Sequence, residues 1–264
     1  MLKQTWNCGG NCEDETSGFT VTKTFGNTNS MAGTGFIAVN SKSKEIVLSF
    51  RGTKSISDWV SDVIVLSSYP DWIKTPFEHK GNSTMPKGNY LKVSDGMKMH
   101  KGFQIDYTSV RNEVQNEMND LIQQHPSFPV YVVGHSLGGA LASIAAADLA
   151  NLHGPDVASR THIYTFGSPR IGDVDWVNFI DGIKFGGISR VTRQKDPVPH
   201  IPHVEIGYLH HSEEFGILEN GEIVTCTKSG NGGETTDCMN KNILIPDIDA
   251  HTAGYFVGKI EDEC

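Results

Sequence analysis

The segment Tyr131-Val132-Val133-Gly134-His135-Ser136-Leu137-Gly138-Gly139-Ala140 constrains the fold more than any other part of the chain. Val130–Val133 is a short apolar run suited to a buried central strand. Leu137–Leu152 reads as a helix rich in Ala and other small residues. Between them stands Gly-x-Ser-x-Gly. At a strand-to-helix junction that pattern has mechanical meaning. The turn is tight, Ser136 takes a strained backbone, and flanking glycines avoid side-chain clashes. The outcome is a hydroxyl presented at the carboxyl edge of a sheet, with a helix N-terminus behind it that favours negative charge. The Leu137 amide is placed to donate to an oxyanion. Three fixed positions arise often by chance. The apolar strand before them and the small-residue helix after them make Ser136 a candidate nucleophile.

The rest of the chain alternates strands and helices. Thr34–Asn40 and Glu45–Phe50 read as strands around the polar turn Ser41-Lys42-Ser43-Lys44. Gln104–Gln124 reads as an amphipathic helix, with Ile105, Val110, Val114, Met118, Leu121 and Ile122 at helical spacing and Pro126 beyond its end. His162–Phe166 and Ile188–Thr192 read as strands, with a helix over Asp173–Asp181 between them. Asn220-Gly221 joins Ile217-Leu218 to Ile223-Val224 as a hairpin signal. This alternation predicts a mostly parallel sheet with helices on both faces. With 264 residues and no internal repeat, low-complexity tract or long linker, residues 1–264 are expected to form a single domain.

A serine hydroxyl needs a His to take its proton and an acid to orient that His, and in this kind of sheet the chain order is Ser, acid, His. After Ser136 the acids include Asp173, Asp175, Asp181 and Asp196. Asp196 follows a strand at the edge where Ser136 emerges, in a loop stiffened by Pro197, Pro199 and Pro202. The His candidates are His200, His203, His210, His211 and His251, and spacing alone does not choose among them.

Composition removes other classes. Lys plus Arg is 22 against 31 Asp plus Glu, a formal charge of −9 with no basic run, so nucleic acid is an unsuited partner. No apolar stretch approaches the roughly 20 residues that span a bilayer. Met1–Trp6 runs into Cys8 without an apolar core, so no signal peptide is read in this sequence. Cys8 and Cys12 sit in a Gly/Asn-rich turn, and Cys226 and Cys238 flank a polar loop; both pairs look like short-loop disulfides of an oxidising compartment. Neither pair has the His or Cys neighbours of a metal site, and no metal or organic cofactor is expected. Cys264 is left unpaired. Asn82-Ser83-Thr84 is a glycosylation sequon.

These segments together resemble the secreted fungal class 3 triacylglycerol lipases of the Rhizomucor and Thermomyces type. Ile46–Thr53 looks like that family's oxyanion strand and turn, and Ser55–Asp62 like its lid. His100-Lys101-Gly102-Phe103 resembles the entry to its long helix, Gly134–Ala140 its nucleophile motif, and Pro246-Asp247 through His251 and Tyr255-Phe256 its histidine loop. Gly167–Gly172 and Asp196–Pro199 extend the likeness over nearly the whole chain. The resemblance implies an α/β-hydrolase fold with a short helical lid over about residues 54–64. It implies Ser136, Asp196 and His251 as the triad, and Thr53 and Leu137 as the oxyanion hole. It also gives Asp62 a hydrogen bond to the Thr53 hydroxyl when the lid opens. Ile56, Trp59, Val60 and Val63 fall on one face of a short helix, as a lid that buries Trp59 over the triad requires. The family's N-terminal helix, whose Cys would pair with Cys264, has no counterpart here. The implied activity is secreted, extracellular hydrolysis of acylglycerols, with transient binding to a lipid droplet or micelle and no protein partner. The alternative is a feruloyl-type or phospholipid ester hydrolase on the same fold, and a catalytically dead lipid-binding relative is the rival from another class.

Overall fold

The computed structural model describes residues 16, 18–26, 33–53, 66–75, 84, 86, 88, 90–227, 234–235, 237–239, 247–252 and 255. The expected lid with Ile56, Trp59, Val60, Asp62 and Val63, the Cys8–Cys12 pair, Cys264 and Asn82 lie outside the described residues.

The chain begins with β1 (Phe19–Phe25), β2 (Gly35–Asn40) and β3 (Glu45–Phe50). Two short strands, β4 (Ser67–Ser68) and β5 (Met99–His100), lead into α1 (Lys101–Gln124). Then follow β6 (Val130–His135), α2 (Leu137–His153), α3 (Pro155–Ser159), β7 (Thr161–Phe166), α4 (Val174–Gly182) and β8 (Gly187–Arg193). The described elements close with β9 (Glu214–Ile217), β10 (Ile223–Thr225) and α5 (Ile248–Thr252). Eight strands form one sheet in the order β1-β2-β3-β6-β7-β8-β9-β10. The block from β3 to β9 is parallel, and antiparallel pairs flank it at both ends.

Register decides where chemistry is placed. Phe50 pairs with Gly134, and His135 pairs with Phe166, so β3, β6 and β7 end together at one sheet edge. Ligands of open parallel sheets bind beyond the carboxyl ends of the strands.

Residues 137–152 of α2 are all buried. A helix buried on almost every side is mostly apolar, and Gly138, Gly139, Ala140, Ala142, Ala145, Ala146 and Ala147 let it pack closely at almost no side-chain entropy cost while Leu141, Ile144 and Leu149 fill the core. The β6 run expected to be buried on both faces instead alternates: Val130, Val132 and Gly134 are buried, while Tyr131, Val133 and His135 are half-buried. The packed helix α2 accounts for one face. On the other, Tyr131 stacks on His162 and Tyr164 at ring separations of 5.4 and 6.3 Å. Helix α1 starts three residues before its expected N-terminus. His100 caps it, its ring Nδ1 accepting from the Phe103 amide at 3.4 Å.

One charged residue of α2 is fully buried. Asp148 accepts from Arg111 Nε and Nη2 at 2.7 and 3.0 Å, from the Tyr107 hydroxyl at 2.5 Å and from Gln115 at 3.1 Å. Arg111 also donates to the Thr75 carbonyl at 2.7 Å, and Asn151 donates to the Ile73 carbonyl at 3.0 Å. This network seats Asp71–Thr75 on the two central helices. Removing one partner would leave a buried charge uncompensated, which costs about 3–5 kcal/mol. Arg111→Met is therefore expected to lower unfolding free energy by about that amount in urea titration, with the Tyr107 hydroxyl unable to replace the cation.

Candidate active site

The strand-to-helix turn behaves as steric reasoning requires. Ser136 has φ 58° and ψ −132°, a conformation L-residues seldom adopt. A Cβ on Gly134 would lie 2.0 Å from the Gly138 carbonyl oxygen, and one on Gly138 would lie 2.4 Å from that of Phe50. Both flanking positions must be glycine. The Ser136 amide donates to the Phe166 carbonyl at 2.9 Å, tying the turn to β7. As the first residue of α2, Leu137 has an amide without an intrahelical acceptor. The turn after β3 approaches closely too: a Cβ on Gly52 would sit 3.1 Å from that of Ser136, and half-buried Thr53 follows it.

Asp196 lies just beyond β8 and is fully buried. Its Oδ1 accepts from the Val198 amide at 2.8 Å. Its Oδ2 lies 2.7 Å from His251 Nδ1 and accepts from the Tyr255 hydroxyl. His251 stands on α5, whose start is fixed twice over. The Asp247 amide donates to the Lys195 carbonyl at 2.8 Å, and the Asp247 side chain accepts from the Asp249 amide at 3.0 Å. The helix carrying the His is thus hydrogen-bonded to the turn carrying the Asp.

Among the described residues, two buried polar atoms face this arrangement without a hydrogen-bond partner: Ser136 Oγ and His251 Nε2. Unpaired buried polar atoms are rare in folded proteins and call for an explanation. His135, the residue before Ser136, stacks its ring 4.4 Å from that of His251, and its Nε2 lies 2.9 Å from the His251 carbonyl oxygen. The carbonyl can only accept, so His135 Nε2 carries the proton.

The other candidates are engaged elsewhere. Asp173 caps α4, accepting from Asp175 and Trp176 amides at 3.1 Å. Asp175 accepts from the Ser94 hydroxyl at 2.9 Å, and Asp181 from the Ser212 amide at 2.9 Å. His210 holds the Pro199 carbonyl at 2.7 Å, and burial with nearby Arg190 and Arg170 drives its pKa well below the usual value. His211 pairs with Ser212, and His203 is exposed. Burial, then Arg170, lowers the pKa of His200.

Four features were not assigned from the sequence. Besides Tyr255 and His135, Gly167 has φ 58°, and a Cβ there would lie 2.6 Å from the Tyr255 oxygen, 2.8 Å from Asp196 Oδ2 and 2.9 Å from His251 Cε1. The fourth is a buried clamp beneath the Asp196 loop. Arg170 pairs with Glu234 through two bonds of 2.8 and 3.0 Å and donates to the His200 and Pro202 carbonyls at 2.5 and 3.1 Å. Glu234 and Thr235 belong to the segment closed by the Cys226–Cys238 disulfide, with Cα atoms 5.7 Å apart. Thr235 donates to Glu214, which also takes Thr192 at 2.5 Å and faces Arg190 at 3.5 Å. Tyr255, His135 and Gly167 lie in segments that carry the family resemblance, but nothing in the sequence gave them these roles. Glu214, Cys226 and Cys238 lie close enough to suggest a metal site, but the two sulfurs are bonded to each other and are not free ligands.

A parallel sheet with a serine at a sharp strand-to-helix turn, followed in chain order by a paired Asp and His, defines the α/β-hydrolase fold. Residues 47–206 match the family profile described as Lipase (class 3), and the chain belongs to that family. It is 33% identical over 260 residues to a lipase of Rhizomucor miehei, covering 96% of this chain and 62% of that protein. It is 30% identical over 254 residues to the secreted mono- and diacylglycerol lipase A of Penicillium cyclopium, covering 94% of this chain and 74% of that one. Lipase II from Rhizopus niveus superposes with a TM-score of 0.80 at 27% identity, over 96% of this chain and 86% of the other.

His135 generates a pH prediction. Burial, then the neighbouring His251, holds its pKa down to about 4. In the unfolded chain the imidazole takes its proton near about 6.5. Between those values the unfolded state binds more protons, so stability falls as pH drops from about 6.5 to about 4. Urea midpoints across that window are expected to fall less steeply for His135→Asn than for the native chain.

Proposed function

We propose that this protein is a secreted triacylglycerol lipase that cleaves acylglycerol esters through a Ser136–His251–Asp196 triad. One observation carries the proposal: buried His251 binds buried Asp196 through Nδ1 at 2.7 Å, while its Nε2 and the Ser136 hydroxyl are both left without partners. In this reading Asp196 fixes the tautomer with the proton on Nδ1, so Nε2 is the basic nitrogen. His251 takes the Ser136 proton as the hydroxyl oxygen attacks the ester carbonyl. The tetrahedral oxyanion receives the Leu137 amide and the Thr53 amide and hydroxyl. His251 then delivers its proton to the departing glycerol oxygen, leaving an acyl-serine. Water enters, loses a proton to His251 and releases the fatty acid by the same steps in reverse. The glycerol thus leaves with the proton that Ser136 gave up, Ser136 regains one from the water, and nothing is consumed but ester and water.

Class 3 lipase membership supports an acylglycerol substrate over a ferulate ester. The similarity to a secreted Penicillium lipase and the formed Cys226–Cys238 disulfide support secretion. Ser136 and His251 are fully buried, so a segment must move before an ester can reach them. The amphipathic sequence about 54–64 is the segment we assign to that motion. One helical turn of apolar face contributes only about a few kcal/mol of burial, which contact with a lipid surface offsets.

Two measurements test this reading. Ser136→Ala is expected to lower kcat on tributyrin by about 10⁴-fold or more, and to abolish labelling by a fluorophosphonate. Native-like turnover by that variant would sink the triad. The hydrolysis rate against tributyrin concentration is expected to rise sharply once droplets form. A smooth saturating curve, with methyl ferulate the better substrate, would replace the lipase reading by the esterase one.

A further inference from the structure

We propose that Tyr255 is a positioning residue of the reaction: its phenol is a permanent second donor to the Asp196 oxygen that orients His251. This inference rests on the triad reading of the preceding section.

The geometry is specific. Asp196 Oδ2 accepts from both the Tyr255 hydroxyl and His251 Nδ1, while Oδ1 is taken by the Val198 amide at 2.8 Å. A fully buried carboxylate must have its charge met by donors, and three are supplied. The space for two donors on Oδ2 exists because position 167 is glycine. A Cβ there would lie 2.6 Å from the phenol oxygen and 2.8 Å from Oδ2. The Tyr255 ring is buried and packs edge-on against Phe166 at 6.1 Å and His135 at 5.6 Å, so its hydroxyl is aimed by the protein core. Burial, then the Asp196 charge, keeps the phenol pKa well above its usual value, so it remains a donor throughout the working range.

Its position gives the phenol a task beyond packing. Each donor to a carboxylate withdraws charge from it and makes it less basic. Tyr255 therefore divides the Oδ2 charge with His251. Asp196 stays well enough bound to orient the imidazole, yet is not so strong an acceptor that the imidazolium becomes too stable to surrender its proton to the leaving group. Without the hydroxyl, the full charge of Oδ2 falls on His251 Nδ1, and the imidazolium is favoured. Tyr255 and His251 share Oδ2, and Val198 closes the other oxygen; Arg193 also faces the Tyr255 phenol through its backbone and its charge, and His135 and His200 are the other titratable groups that feel the Asp196 charge.

The test uses the full chain and a soluble nitrophenyl ester, with rates normalised to sites titrated by a phosphonate so that loss of folded protein drops out. Tyr255→Phe keeps the ring. It is expected to lower kcat by about 5–50-fold with KM unchanged, and to move the acid limb of the kcat profile up by about half a pH unit or more. Incorporating 3-fluorotyrosine at position 255 makes the phenol a stronger donor and is expected to move the limb the opposite way. In an Asp196→Asn background, Tyr255→Phe is expected to change the rate by less than about twofold, because the charge it acts on is gone. A limb unmoved by both phenol variants, or full additivity with Asp196→Asn, would overturn the proposal and leave Tyr255 a packing residue. Failure of the triad itself is seen separately, as turnover by Ser136→Ala.

Discussion

The chain turns from β6 into α2 through a backbone contact with no room for a methyl group, and much else follows from that closeness. With Gly134 and Gly138 in contact, the helix axis lies near the sheet, so the positions of α2 that meet it, Gly138 and Gly139, must be small. Small residues in turn allow α2 to be buried on all sides, and its burial offsets the strain of about 1–3 kcal/mol held at Ser136. The same approach lifts the serine hydroxyl above the sheet edge, where β3, β6 and β7 end in register. Steric necessity, helix composition and placement of the Ser136 hydroxyl are one constraint seen from three sides.

Charge is managed by a different device. Asp196, Asp148, Glu214 and Glu234 are all buried, and each is surrounded by donors drawn from distant parts of the chain. Buried ion pairs add little net stability, because desolvation opposes the Coulomb gain. Their value here is directional. Arg170 turns one ion pair with Glu234 into a hold on the His200 and Pro202 carbonyls, a few residues beyond Asp196. The loop bearing the acid is thus fixed from below by Arg170, from the side by Lys195–Asp247 and from within by Val198.

The central strands and long helices were legible because their signals are local. Apolar spacing marks α1, Ala and Gly content marks α2, Asn220-Gly221 marks the β9–β10 hairpin, and Gly-x-Ser-x-Gly marks the turn at Ser136. The choice of His251 over His200, His203, His210 and His211 was not local. It depends on which imidazole the fold brings to Asp196, and only the resemblance pointed there. Tyr255 and Glu234 were illegible for the same reason: a phenol or carboxylate whose partner lies tens of residues away leaves no periodic trace. Half-exposed β1 carries only a weak alternation, and the two-residue ladder of β4 and β5 is too short to show any. His135 occupies the variable position of a familiar motif, and nothing in its neighbours' spelling announces the imidazole stacked beside it.

The spacing of the parts has a consequence for how the molecule matures. Ser136 is set by its own turn and by neighbours on β3 and β7, whereas Asp196 and His251 meet across 55 positions of chain. Contacts between distant positions form late, because loop closure costs entropy before the contact stabilises anything. Helical signal from α1 and α2 therefore returns early during refolding, and esterase turnover returns last. On the proposed triad, a partly assembled chain would carry Ser136 before His251 and Asp196 have met. On that reading, hydrolysis would report completion of the whole fold.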